Sequence, residues 1–184
     1  MLHPAFFLDR DGVINHNHGY VHKREDFEFI EGILEVARYA YSNSFKLVVI
    51  TNQAGIARGY YTEEQFHQLT DWMCQRFLAV CAPIERVYFS PYHPTAGLGQ
   101  YLKDDLSRKP HPGMIHQAQK ELSIDLSRSV LIGDKVSDFQ AGIAAGVGTN
   151  LLFAADRPTE LDDLNYELIA TLPEAMSYLR RRAE

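Results

Sequence analysis

Apolar residues in this chain come in short unbroken runs, separated by stretches whose apolar positions repeat every three to four residues. The first run, Ala5-Phe6-Phe7-Leu8, stops at Asp9-Arg10-Asp11-Gly12. Four apolar residues ended by a turn glycine predict a buried strand. Residues 46–50, 129–132 and 150–153 have much the same character, and 84–89, interrupted by Glu85-Arg86, ends in Val87-Tyr88-Phe89; these predict four more. Residues 31–43 place Ile33, Leu34, Ala37, Ala40 and Tyr41 at helical spacing. A second helix opens at Thr62, where Thr62 and Gln65 can form a capping box, and runs to about Val80. A third starts at Pro112 and runs through Leu122, with Met114, Ile115 and Ala118 on one face. A fourth spans 137–145 and stops at Gly146. A last helix starts at Thr171, Pro173 and Glu174 and ends in Arg180-Arg181-Arg182. Strands alternating with helices predict an α/β fold, a Rossmann-like doubly wound parallel sheet covered on both faces. The 184 residues fit a single domain over 1–184.

Three stretches lack either period. Residues 13–29 read as a loop or small flap, and 54–59 as a loop with two glycines. Residues 90–112 form a long connection with four prolines and two glycines. Loops of that length in compact domains are usually functional or held by a staple.

Composition narrows the partners. A net charge of −6 argues against nucleic acid or an anionic membrane, although a few cations in one cleft can still bind a small anion. No apolar run is long enough to span a bilayer, and the start Met1-Leu2-His3-Pro4 lacks the regions of a signal peptide. Cys74 and Cys81 sit on one predicted helix, roughly 10 Å apart at 1.5 Å per residue, too far for an unstrained disulfide. A reduced, cytoplasmic monomer is the expectation. His16, His18 and His22 share no defined face, so no imidazole metal site is expected there.

The candidate chemistry lies where strands end. In a parallel sheet the carboxyl ends converge on one edge, so residues far apart in sequence can meet there. Strand one ends in Asp9 and Asp11, strand two in Thr51, strand four in Asp134 with Lys135 next and Asp138 one turn on, while Lys109 precedes the third helix. Close carboxylates repel unless a cation or proton sits between them, and Mg²⁺ suits carboxylate oxygens. Phosphoryl transfer needs a nucleophile, cations for the phosphoryl oxygens and a proton donor for the leaving group. Asp9 can be the nucleophile and Asp11 the general acid; Asp9, the Asp11 main-chain carbonyl and Asp134 can hold Mg²⁺. Thr51 and Lys109 can hold the transferring group. Residues Asn17 to Tyr20 can hydrogen-bond a hydroxylated substrate.

These positions, Asp9-x-Asp11-Gly12, Thr51, Lys109 and Gly133-Asp134 with Asp138, resemble the four motifs of the haloacid dehalogenase superfamily of phosphatases. Residues 7–15, 19–21, 51–62, 108–110 and 133–135 are similar more closely to its heptose bisphosphate phosphatase family. The resemblance implies a capless fold and removal of the 7-phosphate of a heptose bisphosphate, on the route to nucleotide-activated heptose for lipopolysaccharide core or other surface glycans. It implies substrate contacts from Asn17, His18, Gly19, Tyr20, Thr51, Asn52, Gln53, Ala54, Arg108, Lys109 and Lys135. The family commonly carries a Zn²⁺ staple in the loop before the lysine. Here the four ligand positions are Ser90, Tyr92, Asp105 and Ser107, so without thiolates a structural zinc is not expected. The loop is then left to its packing and prolines. Two rivals are histidinol-phosphate phosphatase, which shares the Asp9-to-Gly12 start, and a receiver-type signalling domain. The run 55–62 and the cations Arg58, Arg108, Lys109 and Lys135 favour a bisphosphorylated sugar. A receiver domain carries its phosphoacceptor on a middle strand, unlike Asp9.

Overall fold

The structure, a computed structural model, describes residues 2–155 and 165–180. Six parallel strands form one sheet: β1 (Ala5–Leu8), β2 (Lys46–Asn52), β3 (Ile84–Ser90), β4 (Val130–Gly133), β5 (Thr149–Phe153) and β6 (Glu167–Ile169), ordered β3-β2-β1-β4-β5-β6. The order reverses at β1, where Phe7 pairs with Val48 on one side and Leu131 on the other. That reversal opens a crevice beyond the carboxyl ends of β1, β2 and β4.

Alternation along β1 shows how both faces become core. Phe6 and Leu8 pack with Leu47, Val49, Met73 and Phe77 beneath α1 (Ile33–Ser42) and α3 (Glu63–Ala79). Ala5 and Phe7 pack with Val48, Ile50, Met114 and Ala141 beneath α4 (Gly113–Leu122) and α5 (Val136–Ala145). All four β1 side chains are fully buried, which is why its sequence is continuously apolar. Truncating Phe7 to Ala would cost about 3–5 kcal/mol.

The helix signals map closely. Thr62 accepts from Gln65 N while the Gln65 side chain accepts from Thr62 N, the expected capping box of α3. Gly146 ends α5 at φ 83°. Three features differ from expectation. Residues 54–57, read as loop, form the one-turn helix α2 (Ala54–Ala57). The last helix is a 3₁₀ segment, Leu172–Ser177, still opened by the Thr171–Glu174 capping box. The edge strand β6 has no counterpart in the sequence reading, since in Glu167-Leu168-Ile169 only Ile169 is buried. Of the basic cluster, Arg181 and Arg182 lie outside the described residues.

Candidate active site

The turn after β1 sets the first two carboxylates. Arg10 O accepts the amides of Val13, Ile14 and Asn15, closing a tight turn that holds Asp9 at the strand end and Asp11 beyond it. Gly12 sits at φ 103° against Asp134: a Cβ here would lie 2.1 Å from Asp134 Oδ2. The glycine is therefore required twice, by backbone conformation and by the approach of the third carboxylate.

Lys109 ties the crevice together. Its Nζ donates to Asp9 Oδ1 at 2.8 Å and to Ile50 O at 2.9 Å, and lies 2.7 Å from Asp138 Oδ1. An ammonium has three protons, and these three acceptors take them all. Burial alone would lower the Lys109 pKa, but the carboxylates of Asp138 and Asp9 outweigh it and hold the pKa well above the ordinary lysine value. Asp138 Oδ2 accepts from Lys135 N at 3.0 Å, so both of its oxygens are engaged. Asp9 has one engaged oxygen among the described residues. Burial pushes the Asp9 carboxyl up, Lys109 pulls it down, and Asp138 pushes it up again; the net shift is upward.

The carboxylates of Asp9, Asp134 and Asp138 offer oxygens within 4.8 Å of one another. The Asp134 carboxyl is pushed up to about 6 by burial and by the nearby Asp9, against the pull of Lys135. Lys135 Nζ lies 3.2 Å from Asp134 Oδ1 and 3.5 Å from the Asp11 carbonyl. Three carboxylates thus face two ammonium groups, leaving the cluster anionic. A hard divalent cation relieves that excess. Each Asp138 oxygen already accepts from Lys109 or from the Lys135 amide, so the groups better placed to hold such a cation are Asp9, Asp134 and the Asp11 carbonyl.

The Asp11 side chain stands apart from that cluster. Arg10 Nη2 donates to both of its oxygens at 2.8 Å, Asn15 Nδ2 to Oδ1 at 3.1 Å and Gln53 Nε2 to Oδ2 at 3.1 Å. In this arrangement Asp11 is purely an acceptor. Arg10 Nη2 also donates to Val21 O in the flap at 2.6 Å, so one buried guanidinium joins the flap to Asp11. Gln53 additionally donates to Thr51 Oγ1 at 2.8 Å and accepts from Tyr61 OH, whose pKa burial raises to about 12.

Several residues expected to touch substrate are engaged with protein. Asn52 clasps the Lys109 backbone, donating to its carbonyl at 2.9 Å and accepting from its amide at 3.0 Å. Gln53 holds Asp11 and Thr51, and Ala54 opens α2. In the flap, Asn17 accepts from Gly19 N, His18 lies 3.7 Å from Glu28, and Tyr20 stands at φ 56° with its ring edge-on to Tyr60. Arg108 reaches Tyr92 O at 3.0 Å. The sequence reading missed Asp138 as the second partner of Lys109, although its spacing from Asp134 was the available signal. Arg10 and Asn15, which fix Asp11, lie within the resembling run 7–15 but have no role assigned there.

The four loop positions implied as zinc ligands have other work. Ser107 Oγ donates to Ser90 Oγ at 3.1 Å, Asp105 Oδ1 accepts from Ser107 N at 2.9 Å, and the Tyr92 ring lies under Lys103 Nζ at 4.9 Å. Two hydroxyls, one carboxylate and a phenol make a donor set that does not fit structural Zn²⁺.

A family model described as polynucleotide kinase 3 phosphatase matches residues 4–156. A relative from Burkholderia mallei (strain ATCC 23344), named D-glycero-alpha-D-manno-heptose-1,7-bisphosphate 7-phosphatase, is 53% identical over 152 residues, covering 83% of this chain and 80% of its own. One from Escherichia coli (strain K12), named as the corresponding beta-heptose enzyme, is 41% identical over 186 residues, covering 98% and 97%. Among solved structures, a HAD-like phosphatase from Mesorhizobium loti is similar with a TM-score of 0.87 at 32% identity, covering 97% of this chain and 85% of that one. The B. bronchiseptica D,D-heptose 1.7-bisphosphate phosphatase, complexed with magnesium and phosphate, shares the fold with a TM-score of 0.82 at 24% identity, covering 96% and 97%. With a matched family model and relatives this similar along most of its length, the chain belongs to the polynucleotide kinase 3 phosphatase family of haloacid dehalogenase-type enzymes, among its heptose-1,7-bisphosphate 7-phosphatases.

Proposed function

We propose that the protein removes the 7-phosphate from D-glycero-D-manno-heptose 1,7-bisphosphate through an aspartyl phosphate at Asp9, in the cytoplasmic supply of activated heptose for surface glycans. The observation that carries this reading is the Asp9–Lys109–Asp138 arrangement. It presents a buried carboxylate with one oxygen fixed and the other open, beside an anionic cluster suited to a cation. The names of the relatives supply the substrate.

The open Asp9 oxygen attacks phosphorus as the bond to the sugar oxygen breaks, and Asp11 gives that oxygen its proton. Water then attacks the aspartyl phosphate, Asp11 takes the water proton, and inorganic phosphate leaves as Asp9 is restored. To carry a proton, Asp11 must give up part of its contact with Arg10, Asn15 or Gln53. Lys109 balances the Asp9 charge and aims its carboxylate. Asp9, Asp134 and the Asp11 carbonyl would hold Mg²⁺, which when bound neutralises charge on the transferring phosphoryl group. Arg108 holds the phosphate that does not react, through a planar fork matched to its oxygens. The protein works as a monomer on a small molecule, without nucleic acid or membrane. A phosphate-release screen over heptose bisphosphate, sugar monophosphates and histidinol phosphate tests the reading: the bisphosphate should give the highest kcat/KM, with EDTA abolishing turnover. A preference for histidinol phosphate would replace it.

A further inference from the structure

Arg58, Arg108 and His93 gather where the end of α2 meets the loop 90–112, whose Leu98 amide donates to Ala57 O. Arg58 caps α2, and its Nε is buried with no hydrogen-bond partner. A buried N–H left unmet is unfavourable, and in native proteins such a donor usually has an acceptor. Arg108 is half-buried beside it, and among the described residues its guanidinium hydrogen-bonds only the Tyr92 carbonyl, a neutral group. Among the described residues neither guanidinium forms an ion pair, whereas Arg10 and Arg86 each do. The nearby acid, Asp104, is exposed and lies 3.6 Å from His111.

The groups are close enough to repel. Burial, then the charge of Arg58, lowers the Arg108 pKa; burial, then Arg108 and Arg58, lowers that of His93. His93 Nδ1 accepts the amides of Thr95 and Ala96 at 3.2 and 3.0 Å, which puts the ring proton of the neutral imidazole on Nε2 as a donor. The flap reaches the same place. Tyr20, held in the left-handed region at φ 56°, sets its ring edge-on to Tyr60 at 4.7 Å, and the Arg58 guanidinium lies 6.0 Å from the Tyr20 ring centre. A left-handed backbone at a non-glycine residue is unfavourable unless the surroundings enforce it. Unpaired donors around a cationic pair are complementary to a dianion with several acceptor oxygens, as the three carboxylates are complementary to a dication.

We propose that Arg58, lying against Tyr20 at the flap, is a specificity-determining residue that binds the unreacting phosphate together with Arg108 and His93. This rests on the phosphatase reading above, and it gives that reading its selectivity for a sugar charged at both ends. Energy from the remote phosphate can hold the reacting one in line with Asp9. Arg58 supplies a second fork to a group that Arg108 alone would leave partly unmatched.

The test compares Arg58→Gln and Arg58→Lys with the unmodified protein on heptose 1,7-bisphosphate and on heptose 7-phosphate. The ratio of kcat/KM for bisphosphate over monophosphate should fall about 10- to 100-fold in Arg58→Gln, carried mainly by KM, the size of one lost charge-assisted contact. Arg58→Lys should recover part of that ratio, because an ammonium keeps the charge and loses the fork. Thermal melting of both variants checks that they are folded. An unchanged ratio in a folded Arg58→Gln protein overturns the assignment, as does equal recovery by any uncharged residue. If the unmodified protein hydrolyses neither substrate, the phosphatase reading itself fails; if it hydrolyses both and only the ratio stays fixed, the Arg58 assignment alone fails.

Discussion

The strand ends and the loop 90–112 lie side by side, yet they are held by opposite means. At the strand ends, buried charges meet in a closed set: Lys109 carries Asp9, Asp138 and the Ile50 carbonyl, and each partner has a defined place. Removing one member leaves the others charged and dry. The loop is held by short-range surface contacts, such as the Ser107 hydroxyl on Ser90 and the Ser107 amide on the Asp105 carboxylate, which also pairs with Lys103, and other chemistry can replace these. The difference shows where substitution is tolerated. A reaction fixes residue types one at a time, while the job of holding a loop can be met by hydroxyls, amides and surface charges that keep Arg108 and Lys109 at the crevice.

The sharpest break in this contrast is Asp9→Asn. The amide keeps the shape and can still accept from Lys109, but it is a poor nucleophile and an uncharged metal ligand. Turnover should fall by about 10⁴-fold or more in a protein with an intact circular dichroism spectrum. Near-normal rates from folded Asp9→Asn would remove the aspartyl-phosphate step.

Lys109→Met tests the closed set itself. It leaves Asp9 and Asp138 buried without their cation, so metal-free protein should lose about 3–5 kcal/mol in denaturant unfolding, along with its activity. A loss below about 1 kcal/mol, the range of exposed pairs such as Lys46–Glu85, would mean the charges are solvated in a way this fold does not suggest.

How these regions were encoded differs too. β1 to β5 and four helices follow from apolar periodicity, because each buries a face in a core large enough to impose it. Asp9, Asp11, Thr51, Lys109 and Asp134 were legible because parallel topology brings strand ends together. The pairing of Lys109 with Asp138 was not, since it depends on how α4 and α5 start relative to each other. Likewise the hydrogen bonds of the Asn52 and Gln53 amides to Lys109 and Asp11 could not be read from the sequence, because those partners are set only by the tertiary fold. β6 was missed because a three-residue edge strand carries almost no period, and α2 because one turn has no face to pattern.

The acidic cluster gives a pH signature. Burial and the nearby Asp9 push the Asp134 carboxyl up to about 6, above the ordinary value of 3.8. Between those values the folded chain holds more protons than the unfolded one. In metal-free protein this group's contribution to stability therefore falls as pH rises through that window. Mg²⁺ needs the carboxylate, so its affinity should drop up to about tenfold per unit as pH falls below about 6, measured by calorimetry. A midpoint near 4 would place Asp134 outside the metal site.

The smallest effect should come from the loop. Ser107→Ala removes one neutral hydrogen bond and should cost about 0.5–1.5 kcal/mol, with kcat/KM for the bisphosphate within about threefold of normal. Elemental analysis of purified protein should find no stoichiometric zinc. One zinc per chain would show that the hydrogen-bonded loop described here rearranges around a metal.

The most direct measurement is phosphorus NMR of heptose 1,7-bisphosphate incubated with the Mg²⁺-loaded protein. The 7-phosphate resonance should disappear, one equivalent of inorganic phosphate should appear, and the anomeric phosphate should remain, with Asp9→Asn leaving the spectrum unchanged. Loss of the anomeric phosphate instead, or the same time course with Asp9→Asn, would contradict an aspartyl-phosphate 7-phosphatase centred on Asp9.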